Sequence, residues 1–371
     1  MSHIPITRPF LPPLEEYQTL TSRIWDNHWL TNAGPMSVKL EEELRKYLNV
    51  DHLLVTSSGT MSLQLAIKAL ELEGEIITTP FTFVSTVSSI VWEGCIPVFA
   101  DISGQTLNVL PERIEEAITG KTSAILVTHV FGCPCDVETI QSIAERYKLK
   151  IIYDAAHAFG VDVNNKSIFN FGDVSIGSLH ATKIYHAIEG GLIVSKDKEL
   201  VKKISYMRNF GFDGPLRFAE LGINGKLSEF HAAMGLLNLK YIDKILSRQK
   251  QLTEYYDLKL HHFSPHSPKL LYSSNHSYYP LIFEKEEFLG YCVNELVRQE
   301  IYPRRYFYPP LSSVLPYVQH KRLETADEVS GRVLCLPLYY DLTFAEIDTV
   351  CAILIDAQDN YIEYSNDKGA G

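Results

Sequence analysis

Short apolar strands alternate with helices through the middle of the chain, and this alternation is the feature that most constrains the fold. The predicted strands lie at 53–55, 75–79, 96–100, 124–128, 150–153 and 174–179. Strands that are apolar on both sides are typical of a sheet whose two faces are covered by helices, and such sheets are mainly parallel. The sequence therefore predicts an α/β fold in which a large, mainly parallel sheet carries helices on both faces.

The last part of the chain repeats this alternation on a smaller scale. We predict a strand at 278–283, a helix at 286–299 and a final strand at 333–338. With 371 residues, the chain is long enough for two ordinary domains. We therefore expect a smaller C-terminal α/β domain beside the large one.

The expected domains are 1–250, which forms the large domain, and 251–371, which forms the small one. Residues 1–35 are taken as an N-terminal arm of the large domain, because a segment so rich in proline suits packing over a larger body. A long helix predicted at 228–251 is placed to bridge the two domains.

Polar and aromatic residues follow the ends of several predicted strands. They are Thr60, Phe83, His129, Asp154 and Lys183. In a sheet of this kind the ligand binds beyond the carboxyl ends of the strands. We therefore expect these side chains to converge on one binding site.

Lys183 is the residue with the most distinctive setting, because it follows the apolar strand 174–179 and precedes the glycine pair 190–191. Burial lowers the pKa of a lysine and frees its amine for Schiff-base chemistry with an aldehyde. The alternative interpretation is a surface lysine at the end of a strand.

A possible phosphate site precedes the first large helix, predicted at 61–72. The strand 53–55 leads into Ser58, Gly59 and Thr60. Free backbone N–H groups and the helix dipole would favour an anion at this turn. An ordinary helix cap is the alternative, because serine and threonine are preferred there in any case.

Together these residues meet the needs of an enzyme that uses pyridoxal 5'-phosphate. Such an enzyme requires a lysine, a carboxylate for the pyridine nitrogen, a phosphate site and a flat side chain over the ring. Lys183 can supply the lysine and Asp154 the carboxylate. Phe81 or Phe83 can cover the ring.

The ordered set of motifs resembles the DegT/DnrJ/EryC1/StrS family of nucleotide-sugar aminotransferases, which are fold type I pyridoxal phosphate enzymes. The resemblance runs over nearly the whole chain. The motifs that carry it are 29–35, 58–60, 80–84, 154–158, 178–183 with 189–191, and 222–229. The resemblance implies a pyridoxal phosphate-dependent aminotransferase.

The resemblance implies four roles around the cofactor ring. Lys183 would bind the cofactor covalently and later carry the proton between substrate and cofactor, and Asp154 would pair with the pyridinium nitrogen. His157 would lie by the ring hydroxyl, and Phe83 would cover the ring face. Taken singly, Asp154 could be a helix cap, while His157 and Phe83 could be core residues.

The resemblance also implies how the phosphate is held. Gly59, Thr60 and Ser178 would bind it within the subunit, and Asn224 would reach the phosphate bound by a neighbouring subunit. The implied active unit is therefore a homodimer with shared active sites. For Asn224, a simple turn beside Gly225 is the alternative.

The family contains dehydratases that resemble the transaminases but carry histidine in place of the lysine. This chain retains Lys183. A lysine can act as the general base of a proton shift. The residue therefore favours transamination.

The implied substrate is a nucleotide-linked ketosugar. Its diphosphate requires a cation, for which Arg208, Arg304 and Arg305 are candidates, and Tyr306 or Tyr308 could stack on the sugar or base. Surface solubility and packing are the alternative explanations for these side chains.

The segments 4–13 and 180–183 most resemble family members that aminate dTDP-4-keto-6-deoxyglucose at C4, with L-glutamate as the donor. Their product, dTDP-4-amino-4,6-dideoxyglucose, serves the synthesis of O-antigen or antibiotic sugars. Amination at C3 and a UDP-linked substrate of the same family remain alternatives.

Composition and sequence pattern argue against a nucleic-acid-binding, membrane-spanning, secreted or metal-binding protein. A formal net charge of -11 argues against nucleic-acid binding, which needs a basic surface. We find no apolar run long enough for a membrane span and no signal peptide, so we expect a cytoplasmic protein. No metal site is predicted, because Cys133 and Cys135 are too close together for the usual zinc spacing.

Overall fold

The computed structural model describes residues 3–369, with side chains described up to 361. Residues 1–2 of the predicted large domain and 370–371 of the predicted small domain lie outside the described range. Within this range eleven strands are present. They are β1 (His52–Thr56), β2 (Glu75–Thr78), β3 (Ile96–Phe99), β4 (Thr122–Thr128), β5 (Lys150–Asp154), β6 (Asp162–Val163), β7 (Lys166–Ser167), β8 (Val174–Ser178), β9 (Gly191–Ser195), β10 (Tyr279–Ile282) and β11 (Val333–Leu336).

Seven of these described strands form one sheet in the order β1-β9-β8-β5-β4-β2-β3. Strand β9 is antiparallel to both of its neighbours, and the remaining neighbouring pairs are parallel. The strands β10 and β11 pair separately, as do β6 and β7. The prediction of a large, mainly parallel sheet is confirmed.

Twelve α-helices occur between residues 3 and 369. They are α1 (Leu14–Asn27), α2 (Pro35–Tyr47), α3 (Gly59–Ala69), α4 (Val84–Trp92), α5 (Pro111–Glu116), α6 (Val137–Tyr147), α7 (Lys198–Met207), α8 (Glu229–Lys259), α9 (Glu286–Arg298), α10 (Leu311–Val314), α11 (Glu324–Ser330) and α12 (Phe344–Gly369). The helices α3, α4 and α7 cover one face of the sheet. The helices α1, α2, α6 and α8 cover the other.

The alternation of side chains along each strand explains why both faces are covered. In β1, Leu53 and Val55 join the apolar cluster on one face, and Leu54 joins the cluster on the other. Burial of one such side chain contributes about 1.5–3 kcal/mol. Helices on both faces are therefore needed to remove these side chains from water.

A further apolar cluster, the C-terminal cluster, lies around β10, β11, α9 and α12, as expected for the C-terminal part. Helix α8 contributes Ile242 and Ile245 to the cluster on one sheet face, and Leu252 and Tyr256 to the C-terminal cluster. The predicted domain boundary at residue 250 falls inside this helix. The division into 1–250 and 251–371 stays a prediction.

The N-terminal arm contains a helix, α1, that was not predicted from the sequence. Of its described residues, Ile24 alone is buried, whereas Leu14 and Trp25 are exposed. The arm begins against the C-terminal cluster, where Ile4 forms a parallel bridge with Ile301. Tyr17, Leu20 and Ile24 recur at helical spacing, and the prediction missed this pattern because it relied on the prolines of the arm.

The start of α2 is held by a side chain from a distant part of the chain. The buried Glu229 carboxylate accepts hydrogen bonds from the backbone N–H groups of Met36 (2.7 Å) and Ser37 (2.9 Å). The N-cap residue Gly34 has no side chain to do this, and a Cβ there would lie 2.6 Å from the Glu229 carboxyl carbon. Glu229 thus acts as the cap that α2 lacks locally.

We expect Glu229→Ala to lower the free energy of unfolding by about 2 kcal/mol or more, because two buried N–H groups lose their acceptor. Urea unfolding followed by circular dichroism measures this. As a control, Glu287→Ala removes an exposed carboxylate from the first turn of α9 and should cost about 0.5 kcal/mol or less. Equal losses in the two variants would contradict the capping role.

Candidate active site

A cavity of about 280 Å³ opens at the carboxyl edge of the large sheet. The predicted site residues that line it are Gly59, Thr60, Phe83, Asp154, His157, Ser178 and Lys183. Thr128, Asp154 and Ser178 are the last residues of β4, β5 and β8. The parallel arrangement of these strands therefore brings their ends to one place.

Lys183 is partly buried and reaches into this cavity from the segment after β8. Removal from water lowers the pKa of its amine to about 8, and the positive charge of Arg304 acts in the same direction. The negative charge of Asp154 opposes this shift. The Nζ atom lies 3.4 Å from the phenol oxygen of Tyr278.

Asp154 is 3% exposed at the end of β5. Burial raises the pKa of its carboxyl group, while the Thr86 hydroxyl, the Ala156 N–H and the charge of Lys183 oppose the rise. Thr86 donates to Oδ2 at 2.7 Å, and the Ala156 N–H donates to Oδ1 at 3.1 Å. The hydroxyl of Thr82 continues this network from Thr86. A buried carboxylate held in this way can pair with a cationic N–H brought into the cavity.

His157 is buried among aromatic rings beside the same cavity. Its Nδ1 accepts a hydrogen bond from the backbone N–H of Phe131 at 3.3 Å. Burial lowers the pKa of the imidazole well below its usual range, and the charge of Lys183 adds to this. The neutral ring therefore carries its proton on Nε2 and can donate a hydrogen bond from that atom.

The start of α3 provides an anion site at the cavity wall. Ser58 caps the helix, its hydroxyl accepting from the backbone N–H of Met61 at 3.1 Å. A Cβ on Gly191 would lie 2.4 Å from the Ser58 carbonyl oxygen, so the absence of a side chain lets β9 approach this turn. Gly59 also lies close to Ser178, because a Cβ on Gly59 would be 3.1 Å from the Ser178 Cβ. The start of α3 and the hydroxyls of Thr60 and Ser178, which line the cavity, thus offer N–H and O–H donors to an anion.

Of the two phenylalanines proposed to cover a cofactor ring, Phe83 lines the cavity and Phe81 does not. Phe81 is fully buried in the core. Phe83 is 50% exposed at the cavity wall. Its ring offers a face for a flat ligand to stack on.

Four predicted site residues lie outside the cavity wall of the described chain: Asn224, Arg208, Arg305 and Tyr308. Asn224 is exposed and forms a backbone bridge with Asn209. Arg208 is engaged at the edge of the sheet, where its guanidinium pairs with Glu41 and donates to the carbonyl of Val55.

Arg305 and Tyr308 form a separate pair. The guanidinium of Arg305 lies 3.5 Å from the centre of the Tyr308 ring and donates to Glu286 at 2.6 Å. Arg304 and Tyr306, the neighbours that the sequence also suggested, do line the cavity, with the guanidinium 4.7 Å from the ring centre. The substrate-binding roles of Arg208, Arg305 and Tyr308 stay predictions.

Two contacts of the site were not anticipated from the sequence. Thr86 lies in the first turn of α4, four residues after Thr82, and this spacing could have indicated a shared hydroxyl network. Tyr278 comes from the segment just before β10, far along the chain. Its approach to Lys183 depends on tertiary packing and leaves no local signal.

The residues present fit pyridoxal phosphate. The cavity combines a buried carboxylate, a lysine with a lowered amine pKa, a half-exposed aromatic ring and a helix N-terminus. These are the groups that the cofactor's ring nitrogen, aldehyde, ring face and phosphate require. No helix in the part of the chain that the structure describes combines the length and apolarity needed to cross a membrane.

Comparison with known proteins adds a family and close relatives. The profile of the DegT/DnrJ/EryC1/StrS aminotransferase family matches residues 14–355. A dTDP-4-amino-4,6-dideoxy-D-glucose transaminase of Shigella dysenteriae is 42% identical over 91% of this chain and 94% of its own length. A protein of the same name from Escherichia coli is 38% identical over 95% of this chain and 98% of its own length.

A solved structure agrees with the fold. DesI, crystallised in the presence of its TDP-sugar product, superposes with a TM-score of 0.92 at 30% identity. The superposition covers 99% of this chain and 96% of DesI. The predicted type I fold of pyridoxal phosphate enzymes is thereby confirmed, and pyridoxal 5'-phosphate is the cofactor of aminotransferases with this family profile.

The lowered pKa of Lys183 predicts how cofactor-free protein captures pyridoxal phosphate. Only the neutral amine attacks the aldehyde, so the rate should rise with pH through a midpoint near 8, well below the ordinary lysine value of 10.5. Stopped-flow absorbance from about pH 6 to about pH 10 measures it. Lys183→Ala should show no such phase, and a midpoint near the ordinary value would contradict the effect of burial.

Proposed function

Because the chain belongs to the DegT/DnrJ/EryC1/StrS aminotransferase family, we propose that it converts dTDP-4-keto-6-deoxy-D-glucose to dTDP-4-amino-4,6-dideoxy-D-glucose, with L-glutamate as the amino donor. The observation that carries the proposal is the pair of relatives named for this product, at 42% and 38% identity over more than nine tenths of the chain. A relative named for a 3-amino product, from Aneurinibacillus thermoaerophilus, is 27% identical. The difference in identity favours C4 over C3.

The cavity supports transamination through the chemistry of its own residues. Pyridoxal phosphate, when bound, carries the amino group between donor and acceptor and withdraws electrons from the reacting carbon. Asp154 would pair with the cationic ring nitrogen, whose charge favours the ionised carboxylate, and Thr86 and the Ala156 N–H hold its oxygens in place. The Nζ atom of Lys183 takes the proton from the reacting carbon and returns one, a task for which a pKa near 8 is well matched.

We assign the remaining predicted residues to binding. His157 would donate from Nε2 to the ring hydroxyl, and Gly59, Thr60 and Ser178 would hold the phosphate, since all four line the cavity. Among the three arginines considered, Arg304 is the one we favour for the substrate's anionic groups, because its guanidinium belongs to the cavity wall. Arg208 and Arg305 are already paired with Glu41 and Glu286.

We also propose that the active unit is a homodimer in which Asn224 contributes to the partner's phosphate site. The segment 208–225 exposes large apolar side chains, with Leu216 at 91% and Phe218 at 70% exposure. Apolar side chains clustered in this way are typical of a surface that another protein covers. The neighbouring Gly225 carbonyl accepts from the Ser57 N–H at 2.8 Å, so this segment ends beside the phosphate site.

We further propose that the protein works in the cytoplasm and serves O-antigen or lipopolysaccharide synthesis. The six cysteines are buried as free thiols, as is usual in a reducing compartment. The 4-amino-4,6-dideoxy sugar of the proposed product is a building block suited to such polysaccharides.

The reaction is tested with the cofactor-loaded protein. L-Glutamate should bleach the visible absorption band of the bound cofactor, and later addition of dTDP-4-keto-6-deoxy-D-glucose should restore the band and release the 4-amino sugar, identified by mass spectrometry and NMR. Lys183→Ala should reduce turnover by about a thousandfold or more. Lys202→Ala, which removes an exposed lysine on α7, should leave turnover unchanged.

The same assay separates the alternatives. Faster turnover of the 3-keto isomer would support amination at C3. Faster turnover of the UDP-linked sugar would show that the substrate carries UDP in place of dTDP. A band that persists with L-glutamate and with other amino donors would contradict transamination.

Shared active sites are tested by combining two defective subunits. Lys183→Ala removes the lysine, and Asn224→Asp places a negative charge where we expect the partner's phosphate. In hybrid dimers one of the two sites has both native residues, so random mixing by co-expression should restore about one quarter of the wild-type sites. The two homodimers, purified by separate tags, are the controls. Sites built within one subunit would give no recovery in the hybrid.

A further inference from the structure

Tyr278 contacts the amine of the active-site lysine from a different part of the fold. Its phenol oxygen lies 3.4 Å from Nζ of Lys183, although the two residues are 95 positions apart in the sequence. Tyr278 directly precedes β10, whereas Lys183 follows β8 of the large sheet. The contact therefore forms only when the C-terminal part is packed against the sheet.

Surrounding rings hold the phenol in this position. The ring of Tyr278 lies 4.7 Å from His157 and 5.4 Å from Phe131, measured between centroids. It meets the ring of Tyr306 edge-on at 5.7 Å. With neighbours on several sides, the hydroxyl has little freedom to turn away from the lysine.

The hydroxyl can serve the lysine in both of its protonation states. Burial raises the pKa of Tyr278 well above its usual value, so the side chain stays a neutral phenol. Its oxygen accepts a hydrogen bond from an ammonium group, and its O–H can donate to a neutral amine. The bond to the ammonium is the stronger of the two, because one partner carries a charge.

We propose that Tyr278 is a positioning residue that holds the free amine of Lys183 at the reacting atoms. This inference deepens the proposed function and rests on it for its catalytic part. A lysine has a flexible four-carbon stem, and once its amine is not covalently engaged the chain can adopt many rotamers. A hydrogen bond from a packed phenol limits these to positions from which Nζ can deliver and accept a proton.

Other charged and titratable groups also face this amine. Asp154 and His157 approach from the end of β5, and Arg304 from the segment before α10. Tyr306, His180 and Glu189 line the same cavity. A variant that changes the phenol alone leaves all of these in place, so its effect on the amine can be read separately.

The test compares Tyr278→Phe with the wild type in the capture of pyridoxal phosphate by cofactor-free protein. Loss of the hydroxyl should move the pH midpoint of the capture rate downward by about half a unit, because the ammonium loses an acceptor. The phenyl ring is retained, so packing and the thermal unfolding temperature should change little. An unchanged midpoint would overturn the proposal.

The matched control is Tyr279→Phe, the same chemical change at the next residue. The hydroxyl of Tyr279 donates to Asp257 at 2.8 Å, away from the lysine. This variant should lose some stability and keep the wild-type midpoint. An equal shift in both variants would show a general effect of the altered strand and would overturn the specific role of Tyr278.

Turnover supplies the second measurement. Tyr278→Phe should lower kcat about tenfold while KM for the sugar nucleotide stays unchanged, since the phenol acts on the lysine. A raised KM with unchanged kcat would overturn the positioning role. If the wild type turns over none of the amino donors and ketosugars, the proposed function fails, whereas the capture midpoints still decide the role of Tyr278.

Discussion

The apolar character of both sheet faces confines the chemistry of this protein to one edge of the sheet. The inner strands β4 and β5 are buried along most of their length, and a polar side chain there would have to find a partner or remain unpaired at a high cost. Polar groups with chemical uses therefore occur where the strands end. Thr128, Asp154 and Ser178 illustrate this, since each is the last residue of its strand and lines the cavity.

At this edge, removal from water shifts the pKa values of one acidic and one basic side chain in opposite directions. It raises the pKa of Asp154 and lowers that of Lys183, so both groups are driven toward their neutral forms. Each charge also opposes the shift of the other. A ligand with a cationic nitrogen and an anionic phosphate supplies the missing counter-charges, one at Asp154 and one at the start of α3. The charges of the cavity thus suit pyridoxal phosphate, which carries both groups.

Much of the fold and the centre of the site could be predicted from the sequence because their signals are local. The strands are apolar runs bounded by polar turns, and Lys183 and Asp154 each stand at the end of such a run. The two residues line the same cavity, as expected for residues that follow the carboxyl ends of parallel strands.

The remaining features depend on distant partners. Arg208 and Arg304 look alike in the sequence, and only tertiary structure pairs the first with Glu41 and leaves the second in the cavity wall. The same holds for Tyr278, whose hydroxyl contacts Lys183 only because the segment before β10 packs against the large sheet. Helix α1 was missed for a different reason, because its local signal, the helical spacing of Tyr17, Leu20 and Ile24, stands directly after a segment rich in proline.

Helix α8 limits how two apolar clusters, the one on its own face of the large sheet and the one around β10 and β11, can move relative to each other. Its 31 residues form one continuous hydrogen-bonded rod of about 46 Å that is anchored in both clusters. The clusters therefore cannot swing about residue 250 as about a flexible hinge without breaking helical hydrogen bonds. Entry of a bulky sugar nucleotide must then depend on the loops around the cavity mouth, because α8 holds the two clusters at a constant spacing.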